Sequence, residues 1–408
     1  MKKLKIAIFS GVIPSTTFIE YLIQEVGGVY QVLLFGTVEK KVKYGGNCIK
    51  LYPASKSHIK NLWVNILRSF KLIIRRPRDF FKLLHEIKRY KAYYDKWVWF
   101  TKFLPIVLYK PDILHLQWAR DIEFYGFLQD DFNIKLVLSL RGAHINYTPI
   151  LQPMIADIYR NTFPKVKGFH AVSNAISKEA QAYGAEISKI RMIHSPLNVN
   201  TINNFHPKQR VSSDPIKLIS IGRFHWVKGL KYSIQACDVL KNKGVDFEYI
   251  IVADHLAEEV RFQINQLNLK EEIKVVPFLT QDELFRMMKE IDVLILPSLK
   301  EGIANVVLES MALGVPVIST DCGGMSEVVI PNETGWLVPT RNPQAIANAV
   351  REVINTPPQE LYRITKNAHN FVKEHFNAEQ SIKQFLELYD AVMAKDDYFV
   401  TTRRATTK

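Results

Sequence analysis

Glu301 and Glu309 stand eight positions apart, and the residues around them indicate what two carboxylates at that spacing can do. Ionised carboxylates only accept hydrogen bonds, so the pair suits a partner rich in hydroxyls. Between them, Gly302-Ile303-Ala304-Asn305 leads into a helix whose first N–H groups have no intrahelical partner and favour an anion such as a diphosphate. A nucleotide sugar is anionic in one part and hydroxylated in the other. The competing reading makes Glu301 a solvated loop carboxylate and Glu309 a surface residue, with no ligand.

The elements that must position these groups are legible around them. Leu294 to Ser298 is an apolar run of buried-strand length, followed by a short loop. Asn305 is expected to cap the helix, Gly314 to take the left-handed position after it, and a second buried strand to begin at Pro316. In an open α/β sheet, the crevice beyond a strand's carboxyl end and beside the next helix's N-terminus is where ligands bind.

The run Glu301-Gly302-Ile-Ala-Asn-Val-Val-Leu-Glu309-Ser-Met-Ala-Leu-Gly314-Val-Pro316-Val resembles the E-x7-E signature of retaining glycosyltransferases of family 4. Gly222-Arg223 and Lys228-Gly229 match that family's Gly-Arg...Lys-Gly pair, and Pro14-Ser15-Thr16-Thr17-Phe18-Ile19 resembles a stretch of its exopolysaccharide members. The resemblance implies an α/β GT-B fold, two Rossmann-like domains facing each other across a cleft. It also implies roles: Glu309 on the ribose hydroxyls, Glu301 on a hydroxyl of the donor sugar, Arg223 and Lys228 on the diphosphate, and backbone near Phe278 on the base. Where relatives carry His-Gly-x-Asp, this chain has Arg141-Gly142-Ala143-His144. Arg141 then suits a donor phosphate or an anionic acceptor, and His144 an acceptor hydroxyl.

The expected catalytic set is therefore Glu301, Arg223, Lys228 and His144. The expected donor contacts are Glu309, Arg223, Lys228, Gly11, Phe278, Gly302, Ile303, Ala304 and Asn305. No cofactor is expected beyond the nucleotide-sugar donor, UDP- or GDP-linked. With no Asp-x-Asp motif, no obligatory metal is expected either. His115, alone at the end of a strand, is read as structural.

A chain of 408 residues accommodates two domains. Residues 1–200 are read as an N-terminal Rossmann-like domain on the acceptor side, with Gly11 in a ligand-facing loop. An Asn-, Ser- and Pro-rich linker covers 201–215, and 216–378 form the donor domain, where strands and helices alternate as in a parallel sheet. A final helix, 379–396, is expected to cross back onto the first domain, as in the family. Three scattered cysteines fit a reducing cytoplasm. The basic start before Ser10 is read as a strand, its apolar run being too short for a signal peptide.

The net charge of +14 is concentrated: 56–110 hold fourteen Lys/Arg against three Asp/Glu, interleaved with Trp63, Phe70, Phe81, Tyr93 and Trp97. That pattern fits a peripheral surface on anionic lipid, at the inner face of the plasma membrane, and equally amphipathic helices with solvated charges. Nucleic acid is not an expected partner, because no binding module accompanies the charge.

The resulting reading is a retaining, metal-independent transferase that moves a sugar from a nucleotide sugar to a lipid-linked saccharide in surface polysaccharide synthesis. The alternatives are an epimerase or phosphorylase on the same fold, or a non-catalytic nucleotide- or nucleic-acid-binding protein.

Overall fold

The computed structural model describes residues 4–45, 48–55, 57–207, 214–255 and 257–405, with side chains to residue 394. One unit comprises Met1–Ala171, Ser177–Ile193 and Ile382–Lys408, the other Val172–Ile176 and His194–Ser381.

The first unit is built on β1 (Lys5–Phe9), β2 (Gly11–Ile13), β3 (Gln31–Val38), β4 (Ile49–Ala54), β5 (Ile113–Leu116), β6 (Lys135–Leu140), β7 (Gly168–Ala171) and β8 (Ile190–Met192). All pairs are parallel, in the order β4-β3-β1-β5-β6-β7-β8, and β2 takes over from β1 along β3. β5, β6 and β7 are buried at every residue, as strands covered on both faces must be. The expected loop at Gly11 is instead this short strand. Gly11 adopts φ +88°, breaking β1 from β2, and a Cβ on Gly36 would lie 2.7 Å from the Gly11 carbonyl oxygen.

Helix α1 (Thr17–Val29) buries Ile19, Leu22, Ile23 and Val26. The basic segment folds as α2 (His58–Arg75), α3 (Pro77–Ile87) and α4 (Tyr93–Tyr109). The last helix, Ala378–Ala405, places Ile382, Phe385, Leu388, Tyr389 and Val392 in the same core as Ile6, Ile8 and Val137. Its Tyr389 hydroxyl meets His115 Nδ1 at 2.7 Å, and His115 Nε2 meets Ser139 Oγ at 2.8 Å. Burial, with Arg141 adding to it, lowers the His115 pKa to about 3, so the ring is a neutral, fully partnered core group.

The second unit carries β9 (Ile216–Ile221), β10 (Phe247–Val252), β11 (Ile273–Val276), β12 (Val293–Leu296), β13 (Val317–Thr320) and β14 (Trp336–Val338). Their order, β11-β10-β9-β12-β13-β14, all parallel, is the doubly wound 3-2-1-4-5-6 pattern when counted from β9. Alternate β9 residues feed opposite cores: Leu218 packs with Ile234, Tyr249 and Ile346, while Ile219 packs with Leu294, Leu308 and Met311. Of the expected linker, 208–213 lie outside the described residues. Just before them, the His206 backbone N–H donates to the Leu313 carbonyl, so this stretch runs along the second unit.

Candidate active site

The strand order of the second unit reverses between β9 and β12, and a crevice opens at the carboxyl end of such a switch point. Gly222 and Arg223 directly follow β9, and Ser298 to Glu301 follow β12. The two loops are stitched together by the Leu299 N–H, which donates to the Val227 carbonyl at 2.7 Å. Between them, Lys228 Nζ lies 2.7 Å from Glu301 Oε1, which also accepts from Ser298 Oγ at 2.8 Å. A narrow pocket at the strand ends is lined by Gly222, Lys228, Pro297 and Ser298 among others.

Backbone geometry holds this pair in place. Gly229 has φ +64°, and a Cβ there would sit 2.1 Å from the Pro297 carbonyl oxygen. Gly323 has φ +66°, and a Cβ there would sit 1.9 Å from the Glu301 carbonyl oxygen. Both approaches exclude any side chain. The loop after β10 holds none of the expected site residues. Asp254 there accepts from the Phe224 N–H at 2.9 Å and the His255 N–H at 3.0 Å. Those bonds, the one from Phe224 foremost, hold its carboxyl below the usual range and fix the Arg223 turn from the neighbouring loop. Arg223 itself is exposed, with no side-chain partner among the described residues.

The helix carrying Glu309 spans Asn305–Leu313. Asn305 is not its cap. Ala304 holds that position, its N–H donating to Met325 Sδ at 3.5 Å, and Asn305 is exposed in the first turn. No side chain among the described residues caps this helix. Glu309 is largely buried, finds no partner among the described residues, and is raised by desolvation from an ordinary 4.5 to about 7. Gly302 and Ala304 are buried, Ile303 is half-buried, and Phe278 beyond β11 is half-exposed.

Of the expected residues, Glu301, Lys228, Arg223, Glu309, Phe278 and Gly302 to Asn305 belong to the second unit, whereas Gly11 and His144 belong to the first. There Arg141 and His144 follow β6. The Arg141 guanidinium lies 5.0 Å over the Phe18 ring and donates from Nη2 to Gln117 Oε1 at 3.2 Å. His144 Nδ1 is buried without a partner among the described residues, and burial, then Arg120, lowers its pKa below the usual 6.5.

The basic segment shows a surface of a different kind. Helix α2 turns Asn65, Arg68 and Leu72 inward and leaves Ile59 (72% exposed), Trp63 (66%), Leu67 (62%), Phe70 (64%) and Ile74 (66%) outward. Of the inward polar groups, Asn65 donates from Nδ2 to Thr101 Oγ1 at 2.8 Å, and Arg68 lies against Tyr109 and Tyr52. Among the described residues, no helix is long and apolar enough to cross a membrane.

Residues 201–371 match the family model "Glycosyl transferases group 1". The amylovoran biosynthesis glycosyltransferase AmsK of Erwinia amylovora is 29% identical over 264 residues, 63% of this chain and 64% of the relative, so less than two thirds of that protein is spanned. Sucrose-phosphate synthase from Thermosynechococcus elongatus superposes with a TM-score of 0.69 at 17% identity, covering 96% of this chain and all of that one. Anabaena HepE, solved in complex with UDP-glucose, gives 0.68 at 15% identity, covering 95% of this chain and all of that one. These likenesses show the GT-B fold.

Proposed function

We propose that this chain, whose residues 201–371 match the model of the glycosyl transferases of group 1, moves a sugar from a nucleotide sugar to a saccharide hydroxyl in surface polysaccharide synthesis. One observation carries the reading. The β9–β12 switch point holds the Lys228–Glu301 ion pair, and one turn into the helix that follows lies Glu309, a largely buried carboxylate without a partner among the described residues. A buried carboxylate is costly without donors, and ribose hydroxyls supply two. The relative that acts in amylovoran biosynthesis supports the polysaccharide context, and the neighbour solved with UDP-glucose supports a UDP- or GDP-linked donor.

In the reaction, the acceptor oxygen forms a bond to the anomeric carbon as the bond from that carbon to the donor phosphate oxygen breaks. The bonding pair stays on the phosphate, and the acceptor proton passes to a phosphate oxygen. Lys228, Arg223 and the Asn305–Leu313 helix N-terminus stabilise the charge that builds there, the task a metal performs in other transferases. Glu301, with one oxygen held by Lys228 and Ser298, turns its other oxygen to a hydroxyl of the donor sugar. Attack from the face the phosphate leaves gives retention.

The acceptor is lipid-linked in this reading, and α2 meets the bilayer. Its outward apolar residues sit at headgroup depth, while Lys60, Lys71 and Arg75 face anionic phosphates. Incubating the full chain with radiolabelled UDP- and GDP-hexoses and a lipid-linked saccharide tests the function. Label in an extended saccharide with retained anomeric configuration supports it. Label in sugar phosphate indicates a phosphorylase, label in an isomeric nucleotide sugar an epimerase, and unchanged donor overturns the enzymatic reading.

A further inference from the structure

The first sheet has a switch point of its own, between β1 and β5, and the groups there lack a ligand of a specific kind. Gln117 directly follows β5, and its backbone N–H donates to the Phe9 carbonyl across the switch at 2.9 Å. Its side chain is fully buried. Oε1 accepts from Arg141, but Nε2 has no partner among the described residues. Arg141 Nε is likewise buried without a partner, and His144 Nδ1 is a third such atom. The Phe18 ring closes one face of the guanidinium. Burial alone moves the Arg141 pKa, down to about 10, so no carboxylate offsets this charge.

Guanidinium and amide nitrogens are donors only, so two unpartnered ones cannot satisfy each other. What completes them is an acceptor-only oxyanion, which matches the arginine fork and neutralises its charge.

We propose that Arg141 and Gln117 form an oxyanion pocket that takes a carboxylate or phosphate of the acceptor, making the enzyme selective for acidic saccharides. The inference rests on the glycosyltransferase reading, which gives the second unit its own cations for the donor and leaves this site to the other substrate. The match to the family begins at residue 201, so the pocket lies in the part of the chain that the shared donor-binding domain does not include.

The test uses the full chain and calorimetric titration with methyl glucuronide, its uncharged counterpart methyl glucoside, and inorganic diphosphate. The variants are Arg141→Gln and Gln117→Glu. The second is nearly isosteric and supplies in cis the carboxylate that Arg141 lacks. Wild type is expected to bind one of the anions at least about tenfold more tightly than methyl glucoside. Preference for glucuronide identifies a sugar carboxylate, and preference for diphosphate identifies the acceptor's phosphate. Gln117→Glu is expected to lose that preference while its melting temperature and its affinity for nucleotide sugar stay unchanged. Equal binding of charged and neutral probes by a chain that binds nucleotide sugar overturns the pocket, as does a variant that weakens the donor instead. Anion binding by a chain that binds no nucleotide sugar overturns the glycosyltransferase reading and the acceptor assignment with it.

Discussion

Replacing Glu309 by Gln should stabilise the free protein while removing its function. The wild-type carboxyl titrates at about 7 instead of an ordinary 4.5, because burial disfavours its charged form and no side chain compensates. An acid raised in this way holds its proton in the folded state after the unfolded chain has released it, so stability falls as pH rises from about 4.5 to 7. The full penalty, at about 1.4 kcal/mol per pH unit, is about 3 kcal/mol. By the same linkage it is about 1 kcal/mol at pH 5 and about 3 kcal/mol at pH 8. Glutamine has the same shape and no charge, so it escapes the penalty. Urea unfolding of wild type and Glu309→Gln across this range should therefore show the variant gaining about 2 kcal/mol relative to wild type between pH 5 and pH 8. Nucleotide sugar should raise the melting temperature of wild type and leave the variant unmoved, since the ligand stabilises by mass action only where it binds. A variant no more stable than wild type at pH 8 would refute the picture of a carboxylate kept buried for a ligand.

Lys228→Ala should lower kcat by about 10²–10³-fold, the usual cost of losing one preorganised charge donor, with the fold retained because the side chain is only partly buried. Single-turnover transfer with labelled donor measures it, and near-normal turnover would detach Lys228 from the leaving phosphate. Gly323→Ala forces a Cβ to within 1.9 Å of the Glu301 carbonyl oxygen at a positive φ, so it should cost about 3 kcal/mol or more and displace the Glu301 loop. Circular dichroism melts and donor affinity should fall together. Trp63→Ser with Phe70→Ser removes outward rings from α2 without touching its buried face. Sedimentation with phosphatidylserine vesicles should weaken by at least about tenfold while nucleotide-sugar binding is unchanged. Unaltered sedimentation would assign α2 another partner.

Much of the second unit was readable because its signals are local. The strand at Trp336–Val338, the Leu230–Asn242 helix and the Thr280–Glu283 capping box come directly from periodicity and end chemistry. The acid and basic positions flanking the switch point are legible through the family motifs they resemble, and the strands before them put both at the carboxyl end of the sheet. The failures have tertiary causes. Asn305 has the composition of a cap, yet the helix begins one residue earlier than that composition suggests, with Ala304 at the cap position and its N–H tied to Met325 Sδ. Gly11 suggests a loop, but β3 is long enough to pair with chain on both sides of the break. Periodicity showed that α2 is amphipathic without showing which face turns inward, because Thr101 and Tyr109, which meet Asn65 and Arg68, lie some forty residues on. Gln117 carried no signal at all. A glutamine after an apolar strand gains meaning only when Arg141 arrives from the adjacent strand with an unmet charge.

The central claim is that the β9–β12 switch point of the second unit holds the nucleotide sugar, and hydrogen exchange of the full chain with and without UDP- or GDP-hexose tests it most directly. Ligand should slow exchange in peptides covering 222–229 and 301–309, the loops that carry Arg223, Lys228, Glu301 and Glu309. Saturating ligand that leaves both peptides unchanged while protecting others would contradict it.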